Sequence, residues 1–453
     1  MMIKVKKCLF RYSFILISVS SILSCSFVFP SIDLNTSNYK EKYTNLINDY
    51  HSYDTRKINI KYNCLEINIL CVDDTPGAFQ EYSLIQAAVD DAYPGDTVIV
   101  HDGYYAGFRV ARSGKNNKPI VITANGNNVV LNREEPYSGR DGIYIKNIEH
   151  IVIDGFYIKG MSRFGIAARD ARASWPMKGL VIQYNTVENS QSTNIYLSHV
   201  SESVIQYNTT SGSIRSHGIY LSNSGSDLNL IRSNRSFNNR KNGIHFNGDR
   251  RQGGDGLHSY IVIDSNIIFN NYQNGIDADG LYDSHIVNNL IFENKRHGFR
   301  GFRIDASEGV HRLVFINNTI VSNKRWAIKL THDRGKHVLF NNLIMSNGSG
   351  CVVLDSIDAL SSNNLFDTNC TYSLDGEESL VRQPGWISKL DYTNHVGLSS
   401  LFLNHPDRNY KLNRKSKAVN NGTPVFNGIR APKIDITGKR REGSNVDIGA
   451  YEI

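Results

Sequence analysis

Proline and cysteine are both scarce in this chain: 10 prolines and six cysteines in 453 residues. With only 36 glycines besides, collagen-like and low-complexity disordered chains are excluded. A large excess of one charge is also missing. Lys and Arg number 50 against 43 Asp and Glu, a formal net charge of +7. No basic stripe stands out along the sequence, so a nucleic-acid partner is not expected. Long apolar runs are absent beyond the N-terminus, and no later segment reads as a membrane span.

What is present begins with the N-terminus. Lys4, Lys6, Lys7 and Arg11 precede a short apolar stretch from Phe14 to Leu23, the pattern of an export signal over residues 1–25. Ile22-Leu23-Ser24-Cys25 resembles a bacterial lipobox, with Cys25 as the lipidated residue. The expectation is an exported protein, either secreted or periplasmic, or held at the outer membrane or cell surface by a lipid anchor alone. Removing the signal takes four positive charges with it and leaves about +3. Cys64, Cys71, Cys351 and Cys370 remain. In an exported chain they permit two disulfides, Cys64–Cys71 and Cys351–Cys370 by proximity. Their spacing is not that of a zinc site.

Residues 26–75 are polar and irregular and read as a tether and lead-in. Residues 83–92 place Leu84, Ile85, Ala88 and Val89 at helical spacing, and Pro94-Gly95 stops the helix. A repeat then fills residues 76–375. His217-Gly-Ile-Tyr-Leu, Asn242-Gly-Ile-His-Phe, Asn274-Gly-Ile-Asp-Ala and His297-Gly-Phe-Arg-Gly recur, with Trp326-Ala-Ile-Lys-Leu as a fifth copy. The apolar markers Ile143, Ile166, Ile195, Ile219, Ile244, Ile276, Phe299, Ile328 and Cys351 are 23 to 32 residues apart. That period suits three short strands and three turns per coil. A second run ends in asparagine once per coil, as at Asn185, Asn234, Asn266, Asn289, Asn318 and Asn342. Stacked amides at that spacing predict an asparagine ladder. Residues 376–453 lose the period and read as an irregular last coil and cap.

The helix, then Pro94-Gly-Asp-Thr-Val-Ile-Val100, a Gly-Tyr-Tyr turn and Lys118-Pro-Ile-Val-Ile-Thr123 together resemble the start of a right-handed parallel β-helix of the pectate-lyase-like superfamily. The resemblance implies an all-β, single-stranded solenoid of about ten coils with the helix as its N-terminal cap. Val446-Asp-Ile-Gly-Ala-Tyr451 resembles the closing segment of exported bacterial β-helix proteins.

Strand side chains alternate faces. With the markers inward, the next residue faces out, and so does the one two further on. The first outward slot reads Tyr144, Ala167, Tyr196, Tyr220, His245, Asp277, Arg300, Lys329, Val352. The second reads Lys146, Arg169, Ser198, Ser222, Asn247, Asp279, Phe302, Thr331, Leu354. Coils stack roughly 4.8 Å apart, so His245, Asp277, Arg300 and Lys329 are expected as one file. The long gaps fall at 170–179, which holds Trp175, at 248–258 and at 303–311. All three follow the same strand and are expected to wall the file into a groove.

The resemblance implies an acidic polysaccharide as partner, bound by a monomer in that groove. A lyase needs a base for the proton beside a uronate carboxylate and cations for the charge that develops. Lys329, Arg300 and His245 are the catalytic candidates. Tyr196, Tyr220, Asn247, Arg169, Thr331 and Trp175 are the substrate-binding candidates, and Asp277 with Asp279 are candidate calcium ligands. Inverting hydrolysis on those two carboxylates, uronate C5-epimerisation, and noncatalytic glycan binding or adhesion are the other readings. The polygalacturonase motif set and the Asp-Pro-His signature of mannuronan epimerases are missing. Outward charges on adjacent coils also form ordinary cross-strand pairs, and His217 and His297, in the turn before the glycine, read as structural.

Overall fold

A computed structural model of the protein describes residues 64, 66–75, 81–356, 358–366, 372–374, 377–379 and 398–453. The export signal, Cys25, most of the tether and Cys370 lie outside the described residues. No described helix is long and apolar enough to cross a membrane.

The chain winds into a parallel β-helix. One strand of each coil joins a 12-stranded sheet, and the other two join a 21-stranded sheet. Eleven of these 12 strands pair in parallel and Glu377–Ser379 folds back antiparallel, so the coil count is slightly above the expected ten. Phe108–Val110 and Tyr372–Leu374 extend the stack at its two ends, where the Gly-Ile signature is missing. One coil shows the plan. Ile276–Asp279 lies in the smaller sheet, and His285–Val287 and Leu290–Phe292 lie in the larger. Ile276, Ala278, Leu281, Ile286 and Ile291 of that coil all point inward with no exposure. Each buried Ile or Leu contributes about 1.5–3 kcal/mol of transfer free energy, and every coil adds its own slice of core.

The glycine of the repeat is a packing requirement. A β-carbon on Gly275 would lie 2.5 Å from Ile291 Cγ2 and 2.7 Å from the Gly298 carbonyl oxygen of the next coil. No side chain fits between coils there.

The asparagine ladder runs unbroken from Asn185 through Asn208, Asn234, Asn266, Asn289, Asn318 and Asn342 to Asn364. Each amide oxygen accepts from the backbone N–H and the Nδ2 of its lower neighbour; Asn289 accepts both from Asn266, at 2.9 and 3.0 Å. The left-handed backbone belongs to the preceding residue. In the Asn288-Asn289, Asn317-Asn318 and Asn341-Asn342 pairs the first residue has φ of 53–57° and the second makes the ladder. A second ladder, Asn239, Asn271, Asn294, Asn323 and Asn347, stacks at another corner.

The N-terminal helix spans Ile85–Asp91 and buries Ile85, Ala88 and Val89. Leu84 is its N-cap and is exposed, so the apolar face is narrower than expected. Gly95 takes a φ of 103° to turn the chain into the first long strand. The Cys64–Cys71 disulfide is formed, and Cys71 pairs in register with Ile99. Cys351 is disulfide-bonded as well. Residues 398–453 lie along the flank of the stack. Leu401, Phe402, Tyr410, Leu412 and Ile448 pack on Phe269, Phe292, Val321 and Leu343. Beside them Arg441 forms a buried ion pair with Glu452 (2.6 Å) and donates to Asn288 Oδ1 at 2.9 Å.

Candidate functional site

Strand register places the file as the alternation requires. His245 pairs with Asp277, Asp277 with Arg300, and Arg300 with Lys329. Beyond Lys329 the partner is Val353, not Val352, because Ile328 pairs with Val352. The marker Cys351 was therefore one residue early. Gly350 pairs with Trp326 and so fills the slot before the repeat glycine; taken for the repeat glycine itself, it shifts the marker by one.

Asp277 is the centre of the file and is 5% exposed. Its Oδ1 accepts from Asn274 Nδ2 at 2.8 Å and lies 3.6 Å from Arg300 Nη1. Its Oδ2 accepts from Asn242 Nδ2 at 3.1 Å and lies 3.4 Å from His245 Nδ1. Burial pushes its carboxyl up to about 6, against the pull of Arg300 and the two amides. Asn242 and Asn274 occupy the turn slot before the repeat glycine, on adjacent coils, and are linked by Asn274 N–H to Asn242 Oδ1 at 2.9 Å. That turn column was missed in the sequence. The signal was there: polar residues recur at Asn242, Asn274, His217 and His297 in one slot.

His245 donates from Nδ1 to the Asp277 carbonyl oxygen at 3.0 Å. A carbonyl only accepts, so Nδ1 carries the proton and Nε2 keeps its lone pair. Nε2 makes no hydrogen bond among the described residues. Burial holds the ring neutral, down to about 3. His217 stacks on it at 4.4 Å, and its Nδ1 accepts from Asn242 N–H at 3.3 Å. His217, expected to be structural, thus supports His245 directly.

Arg300 is gripped from two sides. Asp277 lies beneath it, and its guanidinium sits 3.9 Å over the Phe302 ring. Lys329, half-buried on the next coil, has no carboxylate partner among the described residues. His297 is buried behind them. Burial, then Lys329, Arg325, Arg300 and Arg296, drive it down to about 3, so it adds no further charge.

The tyrosines extend the floor. Tyr220 lies 4.8 Å from His245 and 5.4 Å from Tyr196, which stacks on Phe164 at 4.4 Å. Asn247 Nδ2 donates to the Tyr220 hydroxyl at 3.3 Å. Other candidates are tied up or peripheral. Arg169 pairs with Asp170 and Asp141 and covers the Tyr144 ring, so it belongs to a network away from the file. The Thr331 hydroxyl makes a long 3.5 Å contact to the Gly301 carbonyl. Trp175 is 76% exposed on its loop.

Asp279 serves the wall. It is 1% exposed, and its oxygens accept from the Ile304 and Asp305 N–H groups at 2.9 and 2.7 Å. It therefore pins the 303–311 loop. That loop is tied to 248–258 by Arg251–Asp305 (2.6 Å) and by Ser307 Oγ donating to the Asp255 carbonyl at 2.6 Å. The 170–179 loop joins them: a β-carbon on Gly253 would meet the Ala173 methyl at 3.5 Å. The three loops thus form one wall on the C-terminal side of the floor.

The two aspartates fit calcium poorly. Asp279 has both oxygens on backbone amides, and Asp277 is ringed by Asn amide donors, His245 and an arginine, where a cation meets like charge. The same occupancy weighs against inverting hydrolysis, which needs both carboxyls facing the substrate.

Residues 97–251 and 195–370 match the family described as "Right handed beta helix region"; together they cover more than half of the chain. No curated protein matches. Among solved structures, the pectate lyase Pel9A is similar over 85% of this chain and 96% of its own, with 14% identity and a TM-score of 0.56. XylC in complex with xylose covers 85% of this chain and 98% of its own, at 10% identity and a TM-score of 0.49. An alginate lyase from Paenibacillus sp. str. FPU-7 covers 64% of this chain and 95% of its own, at 18% identity and a TM-score of 0.36. At these identities the likeness is one of fold.

Proposed function

The chain belongs to the right-handed β-helix family, and from that premise we propose that it is an exported lyase that cleaves an acidic, uronate-containing polysaccharide by β-elimination. The observation that carries the reading is the in-register file. Arg300, fixed by Asp277 and Phe302, stands one coil from Lys329.

Arg300 binds the uronate carboxylate and stabilises the charge that builds on it as C5 loses its proton. Lys329 is the base. A carboxylate held at Arg300 lies one coil, about 5 Å, from Lys329 and two coils, about 10 Å, from His245, so proximity favours the lysine. The C5–H bond breaks, the C4–C5 double bond forms, and the C4–O4 bond cleaves, with a proton ending on O4. His245 presents its Nε2 lone pair to a neighbouring sugar hydroxyl, and Tyr220 and Tyr196 carry further sugar rings. Pel9A is a pectate lyase by name, which agrees in kind with this chemistry.

The test is incubation with alginate, pectate and chondroitin, followed at the ultraviolet absorbance of the unsaturated product. Silence on every acidic glycan, with or without calcium, would sink the lyase. The second reading is C5-epimerisation. It is favoured by a second proton-accepting ring, His245, in the same file, and shows as solvent deuterium at C5 without new absorbance. Binding with neither signal leaves a glycan-binding or adhesion solenoid.

A further inference from the structure

The turns that lead into the site strand carry an unpaired basic column. Arg215, Arg240 and Lys241 begin it, and Lys295, Arg296, Lys324 and Arg325 continue it. Backbone bonds stack these turns coil on coil: Arg296 N–H donates to the Gln273 carbonyl, and Arg325 N–H to the Arg296 carbonyl, at 3.0 and 2.9 Å. The seven cations are spread over five successive coils, about 19 Å at the strand spacing. All are exposed, and none has a carboxylate partner among the described residues. Five arginines elsewhere, Arg163, Arg251, Arg312, Arg334 and Arg408, each hold an acid. The one acid within the Lys295 turn, Glu293, is drawn away to Arg408 at 2.7 Å. Arg240 lies over the ring of exposed Tyr272, 5.4 Å away.

The column occupies a definite place. It borders the site sheet on the N-terminal side of each strand, opposite the loop wall. Seven like charges close together repel one another, and no described carboxylate pairs with them. We propose that this basic ledge is an extended subsite for the acid groups of a glycan chain lying lengthwise along the helix axis. It makes tight binding require acid groups on several consecutive sugars. The inference deepens the lyase reading and rests on it only for the class of chain in the groove.

The experiment uses the full chain with Lys329→Ala, so that no substrate is consumed. Affinities for polygalacturonate, alginate and chondroitin are measured against dextran, over a range of salt. The same background carrying Lys295→Ser, Arg296→Ser, Lys324→Ser and Arg325→Ser is the comparison. Expected are binding to at least one polyanion and not to dextran, loss of that binding with salt, and about tenfold weaker binding and a shallower salt dependence in the ledge variant. These side chains are exposed, so an unchanged melting temperature confirms folding; charge reversal of the same four to Glu serves as the second variant. Equal affinity and salt dependence with and without the ledge overturns the proposal. So does equal binding to dextran. Duplex DNA or anionic phospholipid vesicles bound as tightly, with the same ledge dependence, overturns the glycan assignment. Binding is read without turnover, so ledge-dependent binding with a silent absorbance screen sinks the lyase alone, and turnover without ledge dependence sinks the ledge alone.

Discussion

Arg300 reaches Asp277 across adjacent coils, Nη1 to Oδ1 at 3.6 Å, while the face of Phe302 covers its guanidinium. The pair sets the direction in which the one groove arginine with a buried anchor points. Asp277→Asn keeps the shape and removes the charge. The expected result is a fall in turnover of about 10²–10³-fold with little change in melting temperature. Steady-state kinetics on the glycan identified by the screen checks it; unchanged kcat would remove Asp277 from the mechanism.

The pH dependence of activity follows from the same carboxyl. Burial pushes Asp277 up to about 6, so it is charged above that pH and neutral below. Its hold on Arg300 is present at neutral pH and lost as pH falls through about 6. The rate profile should show an acidic limb there, and Asp277→Asn should abolish that limb along with most of the rate.

Lys329→Ala is expected to lower kcat by about 10³-fold while glycan binding persists. Lys329→Arg should not restore the rate, since a guanidinium does not give up its proton. His245→Ala in parallel separates the two bases. If it alone abolishes turnover, the ring is the base and the lysine only binds.

Stability should fall with acid. His245 and His297 are held down to about 3 and His285 to about 4, and His217 and His258 are lowered too, all chiefly by burial. An unfolded chain protonates these rings near pH 6.5, so below that the unfolded state binds more protons and folding weakens. Asp227, pushed up to about 7, Asp277, pushed up to about 6, and Asp279 and Glu452, also raised by burial, act in the opposite direction. His199 and His311 are lowered as well, so seven rings stand against four carboxyls. The melting temperature is therefore expected to drop between pH 7 and 4. A flat profile would mean that the rings are not held neutral.

Asn289→Ala tests the ladder. It deletes the acceptor for two bonds from Asn266 and the donor to Ile263 and Asn318. With buried groups left unpaired at about 1–3 kcal/mol each, a loss of about 3 kcal/mol is expected, read by denaturant unfolding.

What was legible in the sequence was whatever obeys a period. The Gly-Ile copies repeat because no β-carbon fits between coils, and alternation then fixes which face His245, Asp277, Arg300 and Lys329 share. What was not legible depends on how irregular segments fold back. Alternation put Asp279 outward, yet the 303–311 loop covers it and donates two amides. Asn242 and Asn274 are 32 residues apart in sequence, and only the stacking of their coils brings both amides onto Asp277. The basic ledge is dispersed in the same way: Arg240 and Lys241 are followed by 53 residues before Lys295, so no run of charge appears until the coils stack.

The strap formed by the C-terminal segment bears on how the stack comes apart. In a plain solenoid each coil touches only its neighbours, so unravelling starts at an end and proceeds one coil at a time. Here Asn288, Asn317 and Asn341 are bonded to Arg441, Asp447 and Thr423, across 153, 130 and 82 residues. Those contacts are lost together or not at all. They convert the coils beneath Arg300 and Lys329 from a fraying end into one cooperative block, and the groove keeps its shape until that block opens as a whole.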